Sequence, residues 1–190
     1  MLEKLIQWDR ELFLFLNDMN MDAFDPVMIV LSSYTSFVVV CVLIILFAIW
    51  KNRKEGIVMS VFFLLTIGFN NLTNQIVKRI IERPRPIHEE SFQDIIHSLG
   101  IHETGFSFYS GHSTTAFCIA MFSLLYFRNK IYGLVAVIWA FAVAFSRIYM
   151  GKHYPLDVFS GMLAGCLIGF IGFKLFENYK EKKLTPQSEF

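Results

Sequence analysis

Five stretches of this chain contain no acidic or basic side chain other than histidine and are long enough, or nearly long enough, to cross a lipid bilayer. A helix needs about 20 mostly apolar residues to span the hydrocarbon core. The first two stretches reach this length, and the other three reach it if flanking polar residues extend the helix. The stretches are Pro26–Trp50, Ile57–Val77, Gly111–Phe127, Ile131–Ser146 and Val158–Phe173.

The remaining sequence has too few polar residues to surround five such helices in water. Hydrophobic residues make up 55% of the chain and charged residues 17%, which is more apolar than an ordinary soluble domain. We therefore predict an all-α polytopic membrane bundle of about five transmembrane helices, forming one domain over residues 1–190 within the lipid bilayer. The formal net charge of +1 gives no reason to expect a nucleic-acid partner.

The two ends of the chain differ from the apolar stretches. Residues 1–23 carry apolar side chains at helical spacing between charged ones, which predicts an amphipathic helix in the membrane interface with Trp8 as an anchor. Residues 24–176 are the predicted bundle, and residues 177–190 are a predicted frayed, charged cytoplasmic tail. The three cysteines lie far apart in apolar stretches, which indicates packing or lipid-facing thiols.

Basic residues mark one side of the predicted membrane. Three segments carry them: Lys51, Arg53 and Lys54; Arg128 and Lys130; and Lys174, Lys180, Lys182 and Lys183. With five spans these segments share one side, which the positive-inside rule makes cytoplasmic. We expect a multi-pass protein of the cytoplasmic (inner) membrane. The Lys78–Ser110 loop and the Arg147–Asp157 connection then face outside, where their own basic residues break the rule and become candidates for function.

Three polar clusters occupy the outer ends of the predicted helices. The first runs from Lys78 to Pro86 and includes Arg85, the second is Tyr109-Ser110-Gly111-His112, and the third runs from Ser146-Arg147 through His153 to Asp157. Lys78, Arg85 and Arg147 come from three separate connections and can together bind the oxygens of one phosphate. Ser110 and Gly111 open a helix, where free backbone N–H groups and the dipole favour an anion.

Two histidines complete the predicted site. Histidine serves as a nucleophile or a general acid near neutral pH. His153 has Asp157 four positions later, within one helical turn, and a carboxylate there orients the ring and raises its nucleophilicity. His112 has no such partner nearby in the sequence. The pattern favours His153 as the nucleophile and His112 as the acid.

The three clusters resemble the signature of the type 2 phosphatidic acid phosphatase superfamily: Lys-x6-Arg-Pro, then Pro-Ser-Gly-His, then Ser-Arg-x5-His-x3-Asp. The resemblance extends from the first apolar stretch to the fifth, and Tyr109 replaces the proline of the second motif. That proline fixes a backbone angle and has no side-chain chemistry, so we expect the change to be tolerated.

The resemblance implies a role for each matching residue. His153 would attack phosphorus, Asp157 would orient it, and His112 would protonate the leaving oxygen. Lys78, Arg85, Ser110, Gly111 and Arg147 would hold the phosphoryl group. The resemblance also implies that no metal or other cofactor is needed.

Other polar residues of these segments favour simpler interpretations. Arg79 and Arg83 are out of register with the motif and are expected to contact lipid headgroups or the loop. The loop histidines and acids, His88, Glu89, Glu90, His97 and His102, lack a recognisable ligand spacing and are expected to be solvated. Asn70, Asn71, Asn74 and Gln75 either line the substrate cleft or bridge helices.

The predicted function is a phosphatase whose substrate is a membrane lipid phosphate or pyrophosphate, hydrolysed at the outer face. Undecaprenyl pyrophosphate is the first choice, followed by phosphatidic acid, phosphatidylglycerol phosphate and lipid A 1-phosphate. A transporter or channel would place its charges near the midplane and often show inverted repeats. A vanadium haloperoxidase would need a soluble helical domain. The clustering of charge at one end and the five spans disfavour both.

The topology is directly testable. A reporter fused after Asn129 should behave as cytoplasmic, because the basic connections share that side, and one inserted near Ile95 should behave as exoplasmic. Alkaline phosphatase and green fluorescent protein fusions measure this. The same compartment for both insertions would contradict the five-span arrangement.

Overall fold

The computed structural model describes residues 1–92, 95–99 and 104–184, and every regular element in those ranges is helical. Seven α-helices follow one another along the chain. They are α1 (Leu2–Asn17), α2 (Asp25–Leu31), α3 (Tyr34–Lys51), α4 (Arg53–Ile81), α5 (Gly111–Phe127), α6 (Lys130–Tyr149) and α7 (Pro155–Lys183). Short 3-10 turns cover Asp22–Phe24, Pro86–His88 and Glu90–Phe92. The predicted all-α membrane bundle is confirmed.

Four helices, α3, α4, α6 and α7, are long and apolar enough to cross a membrane. Helix α5 has 17 residues, or about 26 Å at 1.5 Å per residue. It nevertheless runs from one end of the bundle to the other, since Ser110 lies beside the start of α7 and Phe127 packs on Phe47 of α3. Most of α5 is buried by its neighbours, whereas large apolar side chains of the outer helices remain exposed, as lipid-facing residues would be.

The first predicted span is interrupted. Instead of one helix over Pro26–Trp50, the chain forms α2, breaks at Ser32 and Ser33, and resumes as α3. The Ser33 side chain caps α3 by accepting from the Ser36 N–H at 3.2 Å, and the Ser32 hydroxyl lies 2.6 Å from that of Ser146 on α6. These hydroxyls form hydrogen bonds with polar groups at the break, so the bundle tolerates the interruption of the helix.

The predicted N-terminal amphipathic helix is present as α1, which exposes Trp8 and turns Asp9, Phe13 and Asn17 inward against the bundle. The prediction for the C-terminal end needs correction. Helix α7 continues to Lys183, through the segment predicted to be frayed from 177. An ion pair from Lys180 to Glu55 of α4, at 2.8 Å, and basic residues in the last turn stabilise that extension. Residues 185–190 lie outside the described ranges.

Glycines on one face of α7 set its contact with α5. A Cβ atom added at Gly161, Gly165 or Gly169 would lie 2.7, 2.2 or 2.6 Å from the carbonyl oxygen of Ser110, Thr114 or Cys118. The two backbones are therefore in direct contact, as the small-residue spacing indicated. Residue numbers rise together along this contact, so α5 and α7 run parallel and both begin at the same end of the bundle.

This contact gives a stability prediction. Gly165→Ala should destabilise the protein by about 1–3 kcal/mol, because the added methyl group overlaps backbone that must shift. Thermal unfolding in detergent measures the change.

Gly68→Ala is the matched control, since nothing lies within 4 Å of a Cβ at that position on α4. Removing a mid-helix glycine there should leave stability equal or raise it by up to about 1 kcal/mol. Equal melting temperatures for Gly165→Ala and the wild-type protein would contradict the close packing.

Candidate active site

Five of the predicted site residues come together at the end of the bundle where α5 and α7 begin. Their side chains are buried, although four of the five residues, the two arginines, the serine and the aspartate, are of types that are ordinarily exposed. The five are Arg85, Ser110, Arg147, His153 and Asp157. They are held by the last turn of α6, the connection that follows it, the loop after α4 and the first turns of α5 and α7.

The ring of His153 is fixed from both sides. Nη1 of Arg85 lies 3.2 Å from its Nε2, and Oγ of Ser107 lies 3.3 Å from its Nδ1. A guanidinium can only donate, so Nε2 must be the acceptor, and the neutral ring then carries its proton on Nδ1. This tautomer places the lone pair of the ring on Nε2, where it accepts from Arg85 and can attack an electrophile once that hydrogen bond is exchanged.

Asp157 supports that tautomer through an intermediary that the sequence did not reveal. Its Oδ2 lies 3.6 Å from Nδ1 of His153, beyond a direct hydrogen bond. The Ser107 hydroxyl donates to the same Oδ2, with a short contact, and so connects the two residues. Oδ2 also accepts from the Tyr154 N–H at 2.9 Å.

The local chain path explains why Asp157 faces His153. Helix α7 begins at Pro155, so His153 lies before the helix. The prediction that His153 and Asp157 share a helical turn was therefore wrong. Asp157 is the third residue of α7, the position from which a carboxylate reaches back to the N–H of the residue before the helix. The backbone of His153 is held separately, because its N–H and that of Lys152 donate to the Arg147 carbonyl.

The prediction for Arg83 was wrong. Its Nη1 donates to Oδ1 of Asp157 at 2.7 Å, and its Nη2 donates to Oδ2 of Asp9 at 2.6 Å. Arg83 was set aside because it falls outside the motif register, but the turn through Pro84 places it on the far side of Asp157 from His153. Its carbonyl also accepts from the Ser107 N–H at 2.7 Å.

Asp9 is another residue, besides Ser107 and Arg83, whose place in the site the sequence did not predict. It is 3% exposed on a helix whose neighbouring Trp8 is 65% exposed. Burial raises the pKa of the Asp9 carboxyl, while hydrogen bonds from Arg83 and the Leu156 N–H oppose that rise. No sequence signal separated it from the other charged residues of α1, because the long-range contact from α1 to the site exists only in the fold.

The start of α5 forms the second wall of the site. Ser110 caps the helix with Tyr109 before it, and its Oγ accepts from the Ser113 N–H and hydroxyl at 3.4 and 2.9 Å. A Cβ at Gly111 would come within 2.9 Å of Oδ1 of Asn74, so a larger residue is disfavoured there. The Ser110 N–H donates to the Asp157 carbonyl at 3.0 Å, which ties the starts of α5 and α7 together.

His112 lies on the first turn of α5. Its Nε2 is 3.0 Å from the Ser32 carbonyl, at the break between α2 and α3. A carbonyl oxygen only accepts, so Nε2 carries a proton. The rings of Tyr34 and Phe37 lie 5.5 and 5.6 Å from the imidazole and fix its orientation.

Two of the predicted phosphate-binding cations lie in the last turns of helices. Lys78 is half-buried in the last turn of α4, and Arg147 is buried in the last turn of α6. Lys152 is also buried, and its carbonyl accepts from Nη1 of Arg85 at 3.2 Å. A second contact, from Nε of Arg85 to the Gly105 carbonyl at 3.1 Å, secures the guanidinium.

The other polar residues of the loop take structural roles. Glu89 accepts from the Tyr154 hydroxyl at 2.5 Å and pairs with Arg10, and His97 pairs with Asp25 at 3.1 Å. Across the described ranges, histidine, cysteine and acidic side chains form no group of three that could hold a metal. His102 lies outside those ranges.

Asn70 and Asn74 bridge helices. Asn70 bonds the hydroxyls of Thr114 and Thr115 on α5, and Nδ2 of Asn74 donates to the Tyr109 carbonyl at 2.8 Å. Of the two roles left open for the asparagines, the structure supports helix bridging for these two.

Known proteins resemble this chain in both sequence and fold. The sequence profile of the PAP2 superfamily matches residues 59–181. A lipid A 4'-phosphatase of Bacteroides thetaiotaomicron is 32% identical over 93% of this chain and 78% of its own length. The undecaprenyl-diphosphatase BcrC of Bacillus subtilis is 31% identical over 79% of this chain and 74% of its own. The crystal structure of a transmembrane PAP2-type phosphatidylglycerolphosphate phosphatase from Bacillus subtilis superposes with a TM-score of 0.73 at 25% identity, covering 95% of this chain and 88% of the other.

Proposed function

The chain belongs to the PAP2 superfamily, and from that membership and the surroundings of His153 we propose that it dephosphorylates a lipid phosphate or pyrophosphate through a phosphohistidine. The protein is a multi-pass membrane enzyme and a phosphoric ester hydrolase of the lipid phosphatase class. We further propose its intermediate, the role of each site residue, its substrate and its orientation in the membrane.

The observation that carries the proposal is the orientation of the His153 ring. Nε2 accepts from Arg85 at 3.2 Å, and Nδ1 is backed by Ser107 and Asp157. Arg85 therefore lies beside the one nitrogen able to attack, where it would also bind the oxygens of an incoming phosphoryl group. As Nε2 forms its bond to phosphorus, positive charge develops on the ring, and the Asp157 carboxylate stabilises it through Ser107.

The reaction then has two halves. In the first, the bond from phosphorus to the leaving oxygen breaks while His112 gives that oxygen a proton. In the second, water attacks phosphorus, the bond to Nε2 of His153 breaks, and His112 takes a proton from the water. Lys78, Arg85, Arg147 and the N-terminus of α5 at Ser110 and Gly111 neutralise the phosphoryl oxygens, which is the work that a metal does in other phosphatases.

The position of the site supports a lipid substrate. The reacting residues lie at the ends of spanning helices, where a lipid headgroup reaches them while its tail stays in the bilayer. We place this end of the bundle outside the cytoplasmic membrane, since the basic connections lie at the opposite end. Undecaprenyl pyrophosphate remains the first choice, and phosphatidic acid, phosphatidylglycerol phosphate and lipid A 1-phosphate are alternatives.

A second candidate is the 4'-phosphate of lipid A. A relative with that name is 32% identical over 93% of this chain, while an undecaprenyl-diphosphatase is 28% identical over 96% of it.

Phosphate release from the purified protein, with EDTA present, distinguishes the candidate substrates. The substrates to compare are undecaprenyl pyrophosphate, lipid A, phosphatidylglycerol phosphate and phosphatidic acid. The highest kcat/KM identifies the substrate, and no release from any of them would contradict the proposal.

We predict that activity survives chelation. EDTA should leave the rate close to its starting value, because the phosphoryl charge is neutralised by arginine and lysine side chains. Orthovanadate should inhibit in competition with substrate, since it adopts the trigonal-bipyramidal geometry of phosphoryl transfer. Steady-state phosphate release measures both effects. Loss of most activity in EDTA, with recovery on adding a divalent cation, would overturn the mechanism.

A further prediction separates the two histidines. His153→Ala should abolish turnover of every substrate, because no covalent intermediate forms. His112→Ala should cost about 10²–10⁴-fold on a lipid phosphomonoester, whose alkoxide needs a proton. The loss should be smaller on p-nitrophenyl phosphate or a pyrophosphate, whose leaving groups are better.

Trapping with an alkaline denaturing quench, in which a phosphohistidine is stable, supplies the direct measurement. Labelled phosphoenzyme should appear in His112→Ala and be missing from His153→Ala, and the exposed loop variant His88→Ala should match the wild-type protein. Phosphoenzyme in His153→Ala would mean that the two roles are reversed.

A further inference from the structure

The guanidinium of Arg83 joins two carboxylates that come from opposite ends of the chain. Nη1 donates to Oδ1 of Asp157 at 2.7 Å, and Nη2 donates to Oδ2 of Asp9 at 2.6 Å. The guanidinium also covers the ring of Tyr154, with Cζ 4.0 Å from the ring centroid. These contacts hold it from three directions, so α1 fixes its position as much as the loop that carries it.

The burial of Asp9 calls for a physical reason. Both of its oxygens are used, since Oδ1 accepts from the Leu156 N–H at 2.8 Å and Oδ2 accepts from Arg83. Moving a carboxylate out of water is costly even when it is paired. A helix that needed only to rest on a membrane would turn such a residue toward water, yet α1 turns it inward between exposed Trp8 and Leu12. The burial places a second negative charge on Arg83.

That second charge controls how Arg83 binds Asp157. With Asp9 in place, Arg83 contacts only Oδ1 of Asp157, which leaves Oδ2 for the Ser107 hydroxyl and the Tyr154 N–H. Without Asp9, Nη2 would be released to form a two-pronged contact with both oxygens of Asp157, the favoured arginine–carboxylate geometry. Oδ2 would then turn away from Ser107, and the support of Nδ1 of His153 would be lost.

We propose that Asp9 and Arg83 are positioning residues for the nucleophile. Asp9 holds Arg83 in its contact with a single oxygen of Asp157, and Arg83 keeps the other oxygen directed toward Ser107 and His153. Docking of α1 on the start of α7 is therefore required for rapid formation of the phosphohistidine. This inference rests on the proposed function, in which His153 is the nucleophile.

The test uses two conservative variants of the full-length protein in detergent. Asp9→Asn removes the charge at nearly constant shape, and Arg83→Lys keeps the charge but cannot reach two carboxylates with separate nitrogens. Each should lower kcat for p-nitrophenyl phosphate by about 10–100-fold, on the order of the loss seen when a residue that orients a reactive group is removed. The rate of phosphoenzyme formation, measured with an alkaline denaturing quench, should fall by the same factor. KM should stay near the wild-type value. The double variant should be no slower than the slower single one, since both changes break the same contact.

Two controls on the same helix separate positioning from anchoring. Asn17→Ala removes the bonds that hold the other end of α1 to the carbonyls of His97, Ile148 and Tyr149 and leaves Asp9 in place. Glu11→Gln neutralises an exposed carboxylate. Both should keep kcat near the wild-type value, with a lower melting temperature for Asn17→Ala.

Each result decides the question. Wild-type kcat in Asp9→Asn overturns the proposal, as does an equal loss of kcat in Asn17→Ala, which would make Asp9 an anchor only. If Asp9→Asn fails to fold, Arg83→Lys carries the test, and wild-type kcat there overturns the proposal. A wild-type protein that forms no phosphohistidine contradicts the proposed function instead.

Discussion

The contact between α5 and α7 is the constraint on which the rest of the structure depends. Three glycines of α7 let its backbone touch the carbonyls of α5, and no side chain separates the two helices. The pair runs parallel, so the start of each helix lies beside the other, and the Ser110 N–H donates directly to the Asp157 carbonyl. Ser110 and Gly111 are thereby placed next to the turn that carries His153. The positive ends of two helix dipoles also meet at this point, where an anion is most favoured.

Buried charge at this end is supported by a network of mutual contacts. Arg85, Arg147, His153 and Asp157 would each be costly to bury alone. The cost is offset because carbonyls of Gly105 and Lys152 accept from Arg85, and Ser107, Tyr154 and Arg83 donate to Asp157. In the proposed mechanism, such a network keeps donors and acceptors in place before a substrate arrives, so that phosphoryl transfer needs little reorganisation. The opposite end of the bundle carries exposed or half-exposed ion pairs between helices, which contribute much less.

Much of the fold and part of the site could be read from the sequence, for identifiable reasons. Apolar length predicts spanning helices because a bilayer core has a fixed thickness. The motif spacing selected His153, Asp157, Arg85 and Ser110 as candidates, and the fold brings these four residues together because they lie at the ends of elements whose order is visible in the chain. The break at Ser32 and Ser33 was missed because two serines within a long apolar stretch do not by themselves end a helix. The extension of α7 to Lys183 was missed because an ion pair from Lys180 to Glu55 of α4 stabilises a charged helix that looks frayed in isolation.

The sequence alone determined that this chain is a helical membrane protein with a phosphate-binding signature at one end, since apolar length and motif spacing are local properties. Only the tertiary structure decided which side chains surround His153. Ser107 lies 46 residues before His153, and Arg83 lies 74 residues from both Asp9 and Asp157. No periodicity links positions so far apart. Their contacts arise when α1, the loop after α4 and the start of α7 pack at one end of the bundle, and packing at that distance is a property of the folded chain.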